Sequence, residues 1–191
     1  MKLSFDQCYR IASLMSDFNK PWFFAGGWAI DLFMEKENRQ HCDVEIAIFR
    51  EDQFHLKEYL KGWEFNKVVN GKFHPWENGF LKLPIHELYA INSYSGCELE
   101  ILLNEKEENE WRFRRDLEVT LPIESVWSYT DDGIPYLNPG IVLLYKTKDA
   151  RKKDFQDFIA VKDYLGDNEK RWLQNIIKIQ CPGHKWIQYL T

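Results

Sequence analysis

Two pairs of acidic residues are spaced so that they could work together chemically. Asp43-Val44-Glu45 starts one predicted strand, and Glu98-Leu99-Glu100 starts another. Side chains two residues apart on a strand share a face, so each pair directs both carboxylates to the same side. Crowded carboxylates repel each other unless a cation lies between them, and hard oxygen ligands suit Mg²⁺. If the two strands are neighbours, the pairs predict a shared metal site with a carboxylate that can accept a proton from an attacking hydroxyl.

A glycine pair, Gly26-Gly27, lies between a predicted strand, Trp22–Ala25, and a predicted helix, Trp28–Phe33. Glycines at that position let backbone N–H groups approach a phosphate at the positive end of a helix dipole. Taken alone, the glycines are explained by a tight turn, and each acid pair by a solvated strand face. Acid pairs on two strands with a glycine turn upstream are much more specific than any one of these features.

Basic residues near these features have two interpretations each. Arg39 and His41 flank the first acid pair, so they either contact phosphate or orient Asp43, while His41 is equally well explained as a satisfied surface histidine. Asp31 is interpreted as structural and paired with Arg39. Lys146, Arg151 and Lys152 either meet a triphosphate, where positive charge stabilises leaving pyrophosphate, or pair with the acids that follow. For Arg151 we favour pairing with Asp154 and Asp157.

The pattern predicts an α+β fold, with a mixed β-sheet flanked by helices and a small C-terminal helical region. Residues 1–135 form the predicted catalytic domain and residues 136–191 the helical region, with Pro135 and Pro139 marking the boundary. A charged loop is expected at Asn104–Glu110. The other predicted helices are Phe5–Phe18, Glu51–Tyr59, Ile141–Lys148, Lys153–Leu165 and Glu169–Ile179. The other predicted strands are Asp43–Phe49, Glu64–Val69, Phe80–Leu83, Leu88–Asn92, Glu98–Leu103 and Arg112–Leu121.

Composition excludes several classes of protein. The net charge of the 191 residues is −5, and no basic run is longer than Arg151-Lys152-Lys153, so a nucleic-acid polymer is not the expected partner. No stretch approaches the ~20 apolar residues that a membrane span needs, and the first residues do not resemble a signal peptide. The four cysteines fit no disulfide or zinc spacing. These features predict a cytoplasmic protein, and they assign no oligomeric state.

The segment FAGGWAIDLFMEKENRQHCDVEIAIFR resembles the aminoglycoside and lincosamide nucleotidyltransferases of the DNA polymerase beta-like nucleotidyltransferase superfamily. The superfamily pattern is a strand, a Gly-Gly or Gly-Ser pair, a helix, an Asp-x-Asp/Glu strand and a third acid on a later strand. Gly26, Gly27, Asp43 and Glu45 match it position by position, and Glu98 or Glu100 supplies the third acid. Arg39 and His41 match the narrower group, as does the tail YKTKDARKKDFQDF.

The resemblance implies an enzyme that moves a nucleoside monophosphate, AMP from ATP, to a hydroxyl of a small molecule such as an aminoglycoside- or lincosamide-like compound. It implies two Mg²⁺ ions held by Asp43, Glu45 and Glu98. Gly26, Gly27, Arg39, His41 and Lys146 are the expected nucleotide-binding residues. Strand pattern alone favours Glu100 as the third acid, because apolar residues flank it. The resemblance favours Glu98 as the metal ligand and base, with Glu100 facing the acceptor.

Two other functions remain open from the sequence. One is a non-catalytic module that keeps the fold and binds a nucleotide for regulation, although every acid position is filled here. The other is a protein adenylyltransferase of the antitoxin type, although those relatives are commonly shorter than this chain.

Overall fold

The computed structural model describes residues 5–190, which form six α-helices and ten β-strands. The α-helices are α1 (Asp6–Leu14), α2 (Gly26–Phe33), α3 (Gln53–Tyr59), α4 (Pro139–Lys146), α5 (Lys152–Val161) and α6 (Asp167–Gln180). The strands are β1 (Trp22–Phe24), β2 (Glu45–Phe49), β3 (Glu64–Val69), β4 (Lys72–Pro75), β5 (Glu87–Asn92), β6 (Cys97–Glu107), β7 (Glu110–Phe113), β8 (Asp116–Pro122), β9 (Trp127–Tyr129) and β10 (Pro135–Leu137). This mixed sheet with helices against it confirms the predicted fold class.

The strands form one mixed sheet in the order β4-β3-β5-β6-β2-β1-β10-β9, and β7 and β8 extend it from the end of β6. β2 pairs in parallel with β6 and antiparallel with β1. In β2 every residue after Glu45 is buried, because helices and loops cover both faces of this central strand. The sheet centre therefore fixes the position of Glu45 at the point where β2 emerges from the core.

Helix α2 begins at Gly26, two residues earlier than the predicted start at Trp28. Gly26 has φ +57°, a conformation that side-chain-bearing residues rarely adopt, so the glycine lets the chain turn directly from β1 into the helix. The helix is apolar on nearly all sides and six of its eight residues are buried, including Trp28 and Asp31. α2 is thus a core helix whose first turn lies beside the start of β2.

The C-terminal region packs onto the front of the molecule. The side chain of Asn138 accepts a hydrogen bond from the N–H of Gly140 at 2.7 Å and caps α4, which also has Pro139 in its first turn. α4 packs against α2 and α6. Strand β10 crosses the predicted boundary at residues 135 and 136 and pairs with β1, so the two parts share a sheet. The division into 1–135 and 136–191 stays a prediction.

Three local predictions were wrong. Phe80–Leu83 is not a strand. Leu81 donates its N–H to the side chain of Gln53 at 2.7 Å, and its carbonyl accepts a hydrogen bond from the side chain of Arg50 at 3.1 Å. Side chains, instead of a neighbouring strand, therefore form hydrogen bonds with the backbone of this segment. The charge run Asn104–Glu110 is a β-hairpin instead of a loop, because β6 continues to Glu107 and β7 begins at Glu110.

The third wrong prediction was a single strand over Arg112–Leu121. The chain turns at Arg114 and Arg115, so β7 and β8 are separate antiparallel strands. The charged side chains that suggested a loop instead form ion pairs, Glu107 with Arg112 across the hairpin at 2.6 Å and Lys106 with Glu51, just after β2, at 2.9 Å. Among residues 5–190, no helix is both long and apolar enough to cross a membrane.

Candidate active site

A cavity of about 380 Å³ lies between the sheet and the C-terminal helices. Its walls come from the first turn of α2, from β2, β5 and β6, from the turn between β7 and β8, and from α4 and the start of α5. A cavity of this volume is in the usual range for small-molecule sites. Two of the four sequence-predicted acids, Glu45 and Glu100, line it.

Glu45 and Glu100 are directly opposite each other in the parallel pairing of β2 with β6, and both line the cavity. Glu98 lies two residues earlier on β6, opposite Ile91 of β5; it is exposed and does not line the cavity. The register therefore brings Glu100, rather than Glu98, level with Glu45.

Glu100 lies in a negatively charged and partly apolar environment. Burial raises the pKa of its carboxyl to about 8, and the charges of Glu45 and Glu87 add to the increase. Tyr89, opposite Glu100 on β5, donates its hydroxyl to Glu100 Oε2 at 3.0 Å, which offsets part of this effect. Burial also raises the pKa of Glu87, as does the charge of Glu45. A group of carboxyls that resist ionisation next to one another is a site where a cation would be stabilised.

Asp43 is exposed and precedes β2 by two residues, so it is not within the strand as predicted. Its backbone carbonyl accepts a hydrogen bond from the Trp28 indole at 3.0 Å, and its charge raises the pKa of Glu100. Within residues 5–190, no group of three or more Asp, Glu, His or Cys side chains is close enough to hold a metal ion as it stands.

The two glycines make room for side chains. A Cβ at Gly26 would overlap the carboxylate of Glu45, and a Cβ at Gly27 would overlap the ends of Arg39 and His41. The Glu45 carboxylate consequently lies against the first turn of α2, at the positive end of the helix. Gly26 lines the cavity and Gly27 does not.

His41 is a buried, satisfied histidine, neither at the surface nor in the cavity. Its side chain is 3% exposed, its Nε2 lies 2.6 Å from Asp31 Oδ2, and its ring lies 4.3 Å from the Trp28 ring, between centroids. Asp31 also accepts a hydrogen bond from Asn38 at 2.9 Å. Asp31 is thus structural, as expected, but it pairs with His41 instead of Arg39.

An ionic network ties the segment before Asp43 to α4 and α5. Arg39 donates two hydrogen bonds to the fully buried Asp157, at 2.9 and 3.1 Å. Lys146 lies 3.0 Å from both Asp154 and Asp157, so its ammonium is already neutralised although the residue lines the cavity. Burial alone would raise the pKa of Asp154, but hydrogen bonds from Arg151 and Lys146 hold it well below its usual range.

Arg151 binds Asp154 at 2.8 Å, which confirms one of the two pairings expected for it. Asp157 is paired with Arg39 and Lys146 instead. Arg151 remains exposed and lines the cavity, whereas Lys152 is exposed outside it.

Several residues that line the cavity or contact its lining were not found from the sequence. Glu87 and Tyr89 share the face of Glu100, and strand alternation would have found them if β5 had been placed beside β6. Arg114 and Arg115 were hidden within a strand that was predicted to be continuous. Tyr145 was assigned to a helix without a role.

Comparison with known proteins extends these observations. The model of the aminoglycoside-2''-adenylyltransferase family matches residues 7–128, which is more than half of the chain and includes Gly26, Glu45 and Glu100. This chain belongs to that family. Family membership makes it an enzyme, a nucleotidyltransferase, as the resemblance implied. A comparison with curated protein sequences gives no match.

Solved structures of members and relatives share the fold. The lincosamide antibiotic adenylyltransferase LnuA, bound to lincomycin, is 16% identical with a TM-score of 0.59 and covers 86% of this chain and 100% of its own. ANT(2")-Ia in complex with adenylyl-2"-tobramycin is 13% identical with a TM-score of 0.61, and the match covers 92% of this chain and 98% of ANT(2")-Ia. An antigenic nucleotidyltransferase-like protein from Paracoccidioides brasiliensis is 15% identical with a TM-score of 0.51, and the match covers 98% of this chain and 94% of that protein's chain.

Proposed function

We propose that this enzyme moves AMP from ATP to a hydroxyl group of a small molecule in a Mg²⁺-dependent reaction. The observation that carries the proposal is the register of β2 with β6, which sets Glu45 beside Glu100 on the wall of a cavity. Two adjacent carboxylates on a cavity wall cost free energy unless a cation neutralises them, and family membership supplies the reaction type.

The residues present fit Mg²⁺, because the donor set consists of carboxylates in a site where burial and the charges of Glu45 and Glu87 raise the pKa of Glu100. Asp43, Glu45 and Glu100 would hold two ions, with Glu100 in the place that the resemblance gave to Glu98. Mg²⁺ there would bind the triphosphate, lower the pKa of the attacking hydroxyl and stabilise the leaving pyrophosphate.

Glu100 is the proposed base for the acceptor hydroxyl. In the metal-free protein burial and the charges of Glu45 and Glu87 raise the pKa of its carboxyl to about 8, so this carboxyl accepts a proton more readily than an ordinary glutamate. Tyr89 occupies Oε2 and thereby orients the carboxyl, which leaves Oε1 for the proton of the hydroxyl. The oxygen of the acceptor then attacks the α-phosphorus in line with the departing pyrophosphate.

The start of α2 and Arg151 are the proposed contacts of the triphosphate. Both lie on the cavity wall near Glu45, and the positive end of a helix favours phosphate oxygens. Arg39, His41 and Lys146, expected from the sequence to touch the nucleotide, are proposed instead to support the segment that carries Asp43, because each is already paired inside the protein.

The proposed acceptor is an aminoglycoside- or lincosamide-like compound. The family name and the two antibiotic-bound relatives support this, as do Glu45, Glu87 and Glu100 on one part of the cavity wall, which suit a cationic acceptor. The acidic net charge of the chain argues against a nucleic-acid acceptor.

The test incubates the protein with labelled ATP, Mg²⁺ and a panel of aminoglycosides and lincosamides, and measures pyrophosphate release together with the mass of the product. Transfer of AMP to a panel member, abolished in Glu45→Gln, is the expected result. Label that moves to a protein would support an antitoxin-type adenylyltransferase instead. Nucleotide binding without transfer to any acceptor would contradict the proposal and favour a regulatory module.

A further inference from the structure

The end of the cavity beyond Glu100 is cationic. Arg114 and Arg115 form the turn between β7 and β8, and both line the cavity. Four other arginines in the described part of the chain, Arg39, Arg50, Arg112 and Arg151, each bind a carboxylate within 3 Å. Among residues 5–190, neither Arg114 nor Arg115 forms an ion pair with any carboxylate.

The contacts of these two arginines hold them in place without neutralising them. Arg115 donates to the backbone carbonyl of Tyr145 at 3.1 Å, near the end of α4. Both guanidinium groups lie over the Tyr145 ring, at 5.2 Å for Arg114 and 5.6 Å for Arg115. Burial lowers the pKa of each arginine, so the fold carries the cost of two adjacent, partly desolvated cations.

Two cavity carboxylates lie within electrostatic range of this turn. The charge of Glu87 raises the pKa of Arg114, and the charge of Asp149 raises the pKa of Arg115. Both effects are smaller than the opposing effect of burial. Lys148 lines the same end of the cavity. The turn therefore places positive charge at one end of the cavity, whereas Glu45 and Glu100 lie on another part of its wall.

We propose that Arg114 and Arg115 form a binding site for an oxyanion, a phosphate or carboxylate group of a small molecule held in this cavity. Guanidinium groups bind such anions with strong, charge-assisted hydrogen bonds, and the cavity has room for a ligand beside them. The oxyanion belongs either to the nucleotide and its pyrophosphate product or to an acidic acceptor. The cavity thus binds its ligands with a cationic end at Arg114 and Arg115 and a metal-binding end at Glu45 and Glu100.

The first experiment measures binding of inorganic pyrophosphate by calorimetry in buffer with EDTA, which removes the contribution of Mg²⁺. The variant is Arg114→Gln, and the matched control is Arg171→Gln on α6, whose side chain is exposed and bonds Asn168 outside the cavity. We expect Arg114→Gln to weaken binding about tenfold or more, and Arg171→Gln to leave it unchanged. Equal binding by all three proteins, or no binding of pyrophosphate by the wild type, would overturn the proposal.

A purely structural role for the turn gives a different result. If Arg114 only braces Tyr145, Arg114→Gln lowers the melting temperature and leaves pyrophosphate affinity unchanged, which overturns the proposal. If it binds an anion, loss of an unneutralised cation leaves the melting temperature level or raises it, and Arg114→Lys, which keeps the charge without the planar fork, retains intermediate affinity.

Kinetics then identify the source of the anion. A rise in the KM for ATP in Arg114→Gln assigns the site to the nucleotide, and a rise only in the KM for the acceptor assigns it to an acidic acceptor. Because the binding assay needs no turnover, it stands apart from the proposed function. A chain that binds pyrophosphate through Arg114 but transfers nothing would refute the reaction and keep the anion site.

Discussion

At the scale of single residues, Glu100 is the residue whose environment decides the most about the site. It emerges from the apolar part of β6, lies opposite Glu45, and accepts a hydrogen bond from Tyr89. Burial and Glu45 favour the protonated form in the absence of a cation, the Tyr89 hydrogen bond offsets part of this, and a cation between the two carboxyls would favour the carboxylate. Glu98, on the same strand but exposed outside the cavity, has none of these neighbours.

Replacing each glutamate by glutamine keeps the size of the side chain and removes its charge. We expect Glu100→Gln to lower kcat for nucleotidyl transfer by about 10²-fold or more, since it removes both a metal ligand and the base. Glu98→Gln, the matched control two residues away, is expected to change kcat less than about threefold. Steady-state kinetics with ATP and the acceptor identified by the screen measure the kcat of each variant. Loss of activity only in Glu98→Gln would return the third-acid role to Glu98.

The stability of the metal-free protein is expected to fall as pH rises. The folded-state pKa of Glu100 is raised from 4.5 to about 8, so between these values the folded protein binds more protons than the unfolded chain. The free energy of unfolding therefore decreases with pH across that window. In EDTA, the melting temperature of Glu100→Gln relative to wild type should increase from pH 5 to pH 8, and Mg²⁺ should stabilise the wild type more at pH 8. Parallel melting curves at every pH would show that Glu100 ionises normally.

At the scale of secondary-structure elements, α2 positions the segment that carries Asp43. Trp28 binds the backbone carbonyl of Asp43, Asp31 binds His41, and Gly27 leaves space for Arg39 and His41. The GGWAID sequence thus works as a docking surface for residues 39–43. The C-terminal region completes this docking surface, because Asp157 on α5 accepts a hydrogen bond from Arg39.

Asp157 holds two cations in the buried ionic network, Arg39 and Lys146. Asp157→Asn leaves both without full charge compensation, and removing one partner of a buried ion pair costs about 3–5 kcal/mol. We expect a loss of that size in the free energy of unfolding, measured by urea titration. Asp163→Asn is the control and should have no measurable effect, because Asp163 is exposed on the surface after α5 and pairs with Lys162 there. Equal stability of the two variants would mean that the network contributes little.

At the scale of the whole molecule, the catalytic front and the helical tail are built as one structure. β10 joins β1 in the sheet, α4 packs on α2, and α4 and α5 close the side of the cavity that faces the acids. The ionic network crosses the same boundary. The tail is needed to complete the active site in this arrangement.

A truncated chain ending at residue 135 is therefore not expected to fold. It lacks α4 and α5, exposes the buried face of α2 and leaves Arg39 without Asp157. Circular dichroism and amide NMR dispersion should show a poorly structured chain, whereas the full chain should unfold in a single transition. A cooperatively folded fragment would support two separate domains with a boundary near residue 135.

The sequence by itself determined the parts of this protein that depend on local patterns. Alternation placed β2, β5 and β6, the glycine pair marked the turn into α2, and the acid pairs with the resemblance identified a nucleotidyltransferase. Strand pattern even favoured Glu100, because flanking Leu99 and Ile101 place it in the apolar part of β6. These features are encoded within a few residues of one another, so no tertiary contact is needed to find them.

Only the tertiary structure decided which side chains meet. Register between strands separated by about fifty residues sets Glu100 beside Glu45, and spacing along the chain carries no information about that pairing. Pairing also decided that Asp31 binds His41 while Arg39 binds Asp157, 118 residues away. The charge run Asn104–Glu110 was predicted as a loop because its ion-pair partners, Arg50, Glu51 and Arg112, lie outside the run. The arginines of the β7–β8 turn stand out only in the tertiary structure, because Arg39, Lys146 and Arg151 are each paired with a carboxylate there, whereas among residues 5–190 these two arginines form no ion pair.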